Sequence, residues 1–295
     1  MPVVKRSLFF LFSIAILVAP AFLWVKVERQ RSSEPVGVLT KYLKHLYARD
    51  FRQAYRFISA ADRELKTQKD YVRERGAFIG VALDAARKLS ALIKIQPVTQ
   101  VADGSRTRVK IAMTLPDANA LSDLLLGWDE NRLNGLPGSE QKKILAKIDE
   151  LIRDDKVPMI KGEEEFVLAQ EGTRWKVFLD WATGVRVKFA TALPANGAIV
   201  AQPTMKETIA RLGDVFTVGF RVKNQSSNEI VTRIVHRVEP KETAGYLDLV
   251  ECALLLPVRL RAGEEQTFNS TYMVRGDLPD GTKVFAVTYE FKVEN

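Results

Sequence analysis

The sequence predicts an α+β domain followed by an all-β sandwich, behind one N-terminal transmembrane helix. Three observations carry this prediction: residues 7–25 carry no charge, helical and strand patterns are mixed from residue 35 to about 183, and short β-rich runs recur from about 184 onward. A length of 295 residues suits two domains. We therefore divide the chain into an anchor and linker at 1–34, an α+β domain at 35–183 and a β-sandwich at 184–295.

The uncharged stretch at residues 7–25 is 19 residues long, close to the ~20 that a helix needs to cross a bilayer. Ala19-Pro20-Ala21 also fits a signal-peptide cleavage site, so a retained anchor and a cleaved signal remain alternative interpretations. Both place the bulk of the chain outside the cytoplasm, because Lys5 and Arg6 hold the short N-terminus inside.

Composition excludes several classes of protein. The net charge is +8, but half of it flanks the uncharged stretch, and the rest forms no concentrated basic face of the kind that nucleic-acid binding needs. A single cysteine excludes an intrachain disulfide framework and a zinc site built from cysteines alone. The sequence has no Gly-rich phosphate loop and no Gly-x-Ser-x-Gly, His-Glu-x-x-His or Cys-x-x-Cys motif, so we expect no enzyme.

Short helices are predicted at the start of the α+β domain. In residues 35–47, apolar side chains recur at steps of three and four and therefore share one helical face. Asp50 is the predicted N-cap of a second helix. A third helix is predicted at about 67–75, where Gly76 ends it.

The rest of the α+β domain combines strands with one helical segment. Alternating apolar residues predict a strand at 109–115, after a turn at Asp103-Gly104. Helical periodicity returns at 119–155, with Ser139 as the predicted cap. A hairpin then turns at Glu171-Gly172.

The remainder of the chain consists of short β-rich runs separated by turn signals. About seven short strands in about 110 residues predict a β-sandwich of immunoglobulin type. Six of these runs lie at 185–189, 216–222, 230–237, 254–260, 267–274 and 283–292.

Two segments of the α+β domain, YLKHLYARDFRQA at 42–54 and EGTRWKVFL at 171–179, occupy the first helices and the final hairpin. With this order of elements, residues 35–183 resemble the nuclear-transport-factor-2-like superfamily, an α+β cone. The helical insert at 119–155 departs from that pattern. Such cones can hold small ligands in an apolar pocket. We expect Trp128, Trp175 and Trp181 to fill the interior instead.

An ordered series of short motifs runs through residues 184–292. The series is VRVKF at 185–189, LGD at 212–214, FRVKN at 220–224, VEP at 238–240, GYL at 245–247, LVEC at 249–252, AGE at 262–264 and VTYEF at 287–291. This order resembles the periplasmic domain of the CtaG family, copper chaperones for the assembly of cytochrome c oxidase. The resemblance implies Cu(I), a copper oxidase subunit as partner, and a single-pass protein of the inner membrane with its soluble domains on the periplasmic side.

The copper site of that family reads Cys-Phe-Cys-Phe, and the corresponding residues here are Cys252-Ala253-Leu254-Leu255. Leu254 replaces the second cysteine, Phe268 stands where the family usually has Met, and the family's cysteine near the anchor is missing. Only Cys252 is carried over as a metal ligand. Because Cu(I) favours two or three thiolates, we hypothesise that two chains of a homodimer would each supply one sulfur.

Cys252 has two other interpretations. Its apolar neighbours suit a small buried residue on a strand, and an oxidising compartment would also allow an intermolecular disulfide or a redox role. Two functions therefore stay open. One is a membrane-anchored assembly factor with a degenerate copper site, and the other is a non-metal binding or scaffold module of an envelope or oxidase complex.

The remaining polar candidates have structural interpretations. We expect His45 to be a helix-end histidine and His236 to be a histidine with satisfied hydrogen bonds at a sheet edge. The acidic runs at 154–155 and 163–165 are expected to be solvated charges rather than metal ligands.

Overall fold

The computed structural model describes residues 34–195 and 197–294. The predicted anchor at 7–25 lies outside these residues, so the transmembrane helix stays a prediction. Within the two described ranges, no helix is long and apolar enough to cross a membrane.

The first part of the chain packs helices against a four-stranded antiparallel sheet with the order β1-β2-β3-β4. Leu39 and Leu43 of the first helix are fully buried, as are Ile111 and Leu168 of the sheet, and these side chains belong to one apolar core. The helices are α1 (Pro35–Tyr47), α2 (Phe51–Ala54), α3 (Ala60–Leu65), α4 (Gln68–Arg75), α5 (Gly80–Ser90), α6 (Glu130–Gly135) and α7 (Gly138–Arg153). The strands are β1 (Lys94–Asp103), β2 (Arg106–Pro116), β3 (Met159–Glu171) and β4 (Arg174–Phe178).

Local chain signals place the ends of several of these elements. The Asp50 carboxylate accepts a hydrogen bond from the backbone N–H of Gln53 and caps α2, and Gly76 ends α4 in the left-handed conformation at φ 62°. Both predictions are confirmed, as are the helix at 35–47 and the hairpin that turns at Glu171-Gly172.

The predicted helical segment at 119–155 is wrong in part. Turns occupy 118–125, a short 3-10 segment follows at Leu126–Trp128, and regular helix is present only in α6 and α7. Gly127 has φ 70° and lies between two residues that also have positive φ, which is incompatible with a continuous right-handed helix. Ser139 is not the cap either, because α7 begins at Gly138 directly after Pro137.

The second part of the chain is a sandwich of two sheets, which confirms the predicted β-rich C-terminal architecture. Its strands are β5 (Val185–Ala192), β6 (Ile199–Pro203), β7 (Glu207–Ala210), β8 (Val215–Asn224), β9 (Ile230–Glu239), β10 (Leu247–Cys252), β11 (Val258–Leu260), β12 (Glu265–Val274) and β13 (Val284–Glu294). One sheet has the order β10-β12-β8-β6 and the other β11-β9-β13-β5-β7. Their inner faces enclose a core rich in aromatic side chains.

The predicted strand at 254–260 is only partly present. Ala253–Leu255 forms a 3-10 turn, and pairing with β9 starts at Val258. The domain boundaries and the likeness of the first domain to the nuclear-transport-factor-2-like cone stay predictions.

A buried polar junction joins the two parts. The Lys66 ammonium donates to the Glu74 carboxylate at 2.6 Å and to the Ile209 carbonyl at 2.7 Å. The Thr208 hydroxyl donates to the other Glu74 oxygen at 2.7 Å. Lys66 and Glu74 lie on the helical part and Thr208 and Ile209 on β7, so these bonds fix β7 against α4.

Candidate functional site

Cys252 is the last residue of β10. This strand lies at one edge of the four-stranded sheet of the sandwich, β10-β12-β8-β6. It lies opposite Ser270 of β12, and its partly buried side chain packs against the core of the sandwich. The thiol therefore faces inward at the rim of the sandwich, where the inner face meets solvent.

A continuous chain of hydrogen bonds leads from Cys252 into the core. The Ser270 hydroxyl lies 3.2 Å from the Cys252 sulfur, and the Tyr289 hydroxyl lies 3.5 Å from it and donates to Ser270 at 2.8 Å. The Tyr272 hydroxyl lies 2.7 Å from that of Tyr289, and the Nε2 atom of His236 lies 3.0 Å from Tyr272. Five side chains from four strands are thus connected across the interior.

Strand geometry explains why these side chains meet. Ser270 and Tyr272 are two residues apart on β12 and therefore point to the same face. Tyr289 of β13 is directly opposite His236 of β9, and the two rings pack edge to face at 5.3 Å. The Tyr289 ring also stacks on Phe220 at 3.9 Å. Packing on both sides thus fixes the position of the Tyr289 hydroxyl.

The connected side chains form an uncharged cluster. Burial raises the pKa of both Tyr272 and Tyr289, and their mutual contact raises that of Tyr272 further, so both remain neutral phenols. Burial also lowers the pKa of His236, which favours the neutral imidazole at neutral pH. The cluster can donate and accept hydrogen bonds around the sulfur.

The residues of one chain do not fit a complete Cu(I) site. Leu254, at the position of the second cysteine, is fully buried in the 3-10 turn, because β10 ends at Cys252 and strand alternation stops there. Phe268 is buried in the core, and two tyrosines separate His236 from the sulfur. Among the described residues, no group of three or more His, Cys, Asp or Glu side chains could hold a metal ion. Cys252 is the single cysteine of the sequence and so supplies one thiolate.

Three large apolar side chains close to Cys252 in the sequence are exposed, as is the charged Glu251. Val250, Leu255 and Leu256 are each more than half exposed, and they lie within four residues of the thiol. Soluble proteins seldom leave several large apolar side chains exposed together unless another molecule covers them.

The other predicted residues lie away from Cys252. His45 is in the last turn of α1, where its ring stacks on Phe57 and its Nδ1 lies 3.9 Å from Asp50, as expected for a helix-end histidine. Glu163 and Glu165 form exposed ion pairs with Lys110 and Arg108 on the neighbouring strand.

All three predicted interior tryptophans are packed, in two different parts of the first domain. Trp181 is fully buried, and the partly buried Trp175 packs against the same core. Trp128 stacks on Phe78 in a peripheral cluster. The partners of Cys252, namely Ser270, Tyr272 and Tyr289, were not among the predicted site residues. The spacing of Ser270 and Tyr272 indicates a shared face, but strand register, which the sequence does not state, decides that this face meets Cys252.

Comparisons with known proteins give one informative match. No curated protein matches the chain. Two crystal structures of Salmonella alpha-2-macroglobulin, the Y1175G mutant and the methylamine-reacted protein, align with 11% and 10% identity and TM-scores of 0.23 and 0.22, over 68% of this chain and 16% of theirs. Residues 160–292, from β3 to β13 and including Cys252, match the family model of the cytochrome c oxidase assembly protein CtaG/Cox11, which confirms the predicted resemblance of the C-terminal part.

Proposed function

We propose that the chain is an assembly factor for cytochrome c oxidase with a degenerate copper site. The family match over residues 160–292 is the observation that carries this proposal, because it covers the sandwich from β5 into β13. The uncharged stretch at 7–25 supports membrane anchoring, with the sandwich on the periplasmic side.

In this proposal the Cys252 sulfur binds Cu(I), which the protein delivers to the oxidase and does not keep as a cofactor. A second copy of the chain supplies the second sulfur. The position of Cys252 on an edge strand supports this arrangement, since an edge strand can approach another molecule. The exposed Val250, Leu255 and Leu256 beside the thiol would be covered by such a partner.

The second candidate is a scaffold that binds an oxidase or another envelope complex without metal. The burial of Leu254 at the position of the second thiolate favours it, because this side chain serves the core. In that case Cys252 is a packing residue with a hydrogen-bonded thiol, and the exposed apolar side chains near it contact the partner protein.

A Cu(I) titration of the full chain in detergent under reducing conditions separates the two candidates. Copper handling predicts about one Cu(I) per two chains, lost in Cys252→Ser and retained in Ser270→Ala, which keeps the sulfur. If the wild type binds no copper, or if Cys252→Ser binds as much as the wild type, copper handling is ruled out and the scaffold remains.

The assembly role itself is tested in cells. Deletion of the gene is expected to reduce the amount of assembled oxidase, as measured by its haem absorbance and oxygen consumption, and the wild-type gene should restore both. An unchanged oxidase level in the deletion strain would contradict the assembly factor and also a scaffold that binds the oxidase.

A further inference from the structure

A small apolar cavity lies in the first domain, away from Cys252. It is partly open to solvent and is lined by the end of α1, the C-terminal half of α5, the end of β2, the start of β3 and the loop that follows β2. Its volume is about 220 Å³. Ala86, Leu89, Ile93, Leu115 and Trp128 supply most of the wall.

Large apolar side chains at this cavity remain exposed. Tyr47 is 42% exposed and Ile160 is 47% exposed, and both line the cavity. A small ligand in the cavity would cover this exposed apolar surface. Such burial is favourable, because the transfer of apolar surface out of water lowers the free energy.

The loop that carries Trp128 has a strained backbone. Leu126, Gly127 and Trp128 all have positive φ, of 51°, 70° and 61°, and two of these residues have large side chains that disfavour this region. The Trp128 ring is nevertheless held in place, because it stacks on Phe78 with an interplanar angle of 11° and its indole N–H donates to the Ala118 carbonyl at 3.4 Å. Strain of this kind concentrates at sites that bind or react.

Two polar side chains at the cavity can bind a ligand. Within the described part of the chain, neither the Tyr47 hydroxyl nor the Asn119 side-chain amide has a hydrogen-bond partner, whereas the Ser90 hydroxyl already donates to the Arg87 carbonyl at 3.0 Å. Burial raises the pKa of Tyr47, and the negative charge of Glu164 raises it further, so the phenol keeps its proton and can donate a hydrogen bond.

We propose that this cavity binds a molecule with a single aromatic ring that carries one hydrogen-bond acceptor. The ring lies among the apolar wall residues and the acceptor accepts a hydrogen bond from the Tyr47 hydroxyl. The size follows from the volume: a cavity of about 150 Å³ accepts benzene, whereas drug-sized ligands need about 300–1,000 Å³. A cavity of about 220 Å³ therefore fits one ring with a small substituent. This binding site is independent of the function proposed above.

Fluorine NMR with 4-fluorophenol and the full chain tests the proposal. We expect saturable shift or broadening of the ligand signal with a Kd of about 1 mM or tighter, as suits a ligand of this size. Ala118→Trp places a large ring at the cavity from an exposed position and should weaken binding at least about tenfold. The matched control is Ala120→Trp, which is exposed and does not line the cavity, and it should bind like the wild type.

A second pair of measurements tests the hydroxyl. Tyr47→Phe should weaken the binding of 4-fluorophenol by about three- to tenfold and leave that of fluorobenzene, which lacks the acceptor, unchanged. The proposal is overturned if the wild type shows no saturable binding up to 10-fold above the expected Kd, or if Ala118→Trp binds as well as Ala120→Trp. Equal affinity of wild type and Tyr47→Phe for 4-fluorophenol would overturn the assignment of the acceptor to Tyr47.

Discussion

Asp62 shows how a single buried carboxylate organises distant parts of the chain. It lies in the first turn of α3 and is 1% exposed. Its oxygens accept hydrogen bonds from the Ser59 hydroxyl at 2.5 Å and from the backbone N–H groups of Leu179 at 2.8 Å and Trp181 at 2.9 Å. These bonds tie α3 to the segment that leads into the sandwich.

Asp62→Asn should destabilise the protein. The amide has one oxygen instead of two and brings an NH₂ group against backbone donors, so at least one buried N–H loses its acceptor. We expect the free energy of unfolding to fall by about 2–3 kcal/mol in urea denaturation followed by circular dichroism. Asp84→Asn, an exposed site on α5, is the control and should stay within about 0.5 kcal/mol of the wild type. A loss in Asp62→Asn no larger than that of the control would show that the three hydrogen bonds are dispensable.

The contrast between Asp50 and Asp62 explains what could be predicted at this scale. Asp50 caps a helix through Gln53, three residues away, so neighbouring sequence suffices to identify it. Asp62 accepts hydrogen bonds from Leu179 and Trp181, which lie more than 100 residues away in the sequence. Cys252 is hydrogen-bonded to Ser270 and Tyr289, which lie on other strands. Such partners depend on tertiary packing and strand register, which local sequence patterns do not encode.

Strand β8 illustrates how close approach constrains an element. It lies between β12 and β6 in the four-stranded sheet, and Gly219 is its buried midpoint. A Cβ atom at Gly219 would lie 2.9 Å from the Cγ2 atom of Thr267 and 3.0 Å from that of Thr204. Both distances are shorter than van der Waals contact, so a methyl group fits only if these side chains or strands move.

Gly219→Ala should therefore lower the free energy of unfolding by about 1–3 kcal/mol, the usual cost of overpacking. Gly162→Ala on β3 is the matched control, since its Cβ would meet nothing within 4 Å and its φ is not positive. That control should be neutral or slightly stabilising. Thermal unfolding of both variants, with Thr267→Ser added to Gly219→Ala as a rescue, measures the effect. If the two glycine variants unfold at the same temperature, the close approach at β8 does not exist.

Two elements are missed by the sequence patterns because few large apolar side chains mark their buried faces. Strand β1 is exposed along almost its whole length, so it shows no alternation of apolar and polar residues. Helix α5 buries three alanines, Ala82, Ala85 and Ala86, which mark a helical face less clearly than large apolar residues do. Conversely, the apolar run at 254–256 predicts a strand, yet it folds into a turn that buries only Leu254 and leaves Leu255 and Leu256 exposed.

At the scale of the whole molecule, the helical part and the sandwich share a buried electrostatic junction. Lys66 is 6% exposed and Glu74 is 2% exposed, and the Lys66 ammonium also lies 4.7 Å above the Trp181 ring. Nearby, Asp214 of the sandwich lies 3.1 Å from Arg211 and 3.9 Å from Arg75 at the end of α4. The family match begins in β3 of the first sheet, so the matched segment includes strands from both sides of this junction.

The ionisation of Asp214 gives the junction a predictable dependence on pH. Burial favours the protonated carboxyl, but the positive charges of Arg211 and Arg75 outweigh it and hold the pKa of Asp214 below its usual value. In the unfolded chain that pKa returns to about 3.9. The stabilisation from the ionised carboxylate is therefore complete above about pH 4 and is lost as the pH falls through the lower pKa of the folded protein.

Asp214→Asn should mimic the protonated state at every pH. We expect the variant to be less stable than the wild type by about 1–3 kcal/mol at pH 7, and the difference to shrink as the pH falls from about 4 toward 2. Urea denaturation at a series of pH values measures this difference. Asp280→Asn, at an exposed site in the same sandwich, should follow the wild-type curve. A difference in free energy of unfolding that stays constant from pH 7 to pH 2 would contradict a lowered pKa of Asp214 in the folded protein. The pairing of Asp214 with Arg211 and Arg75 would then not make the stability of the protein depend on pH.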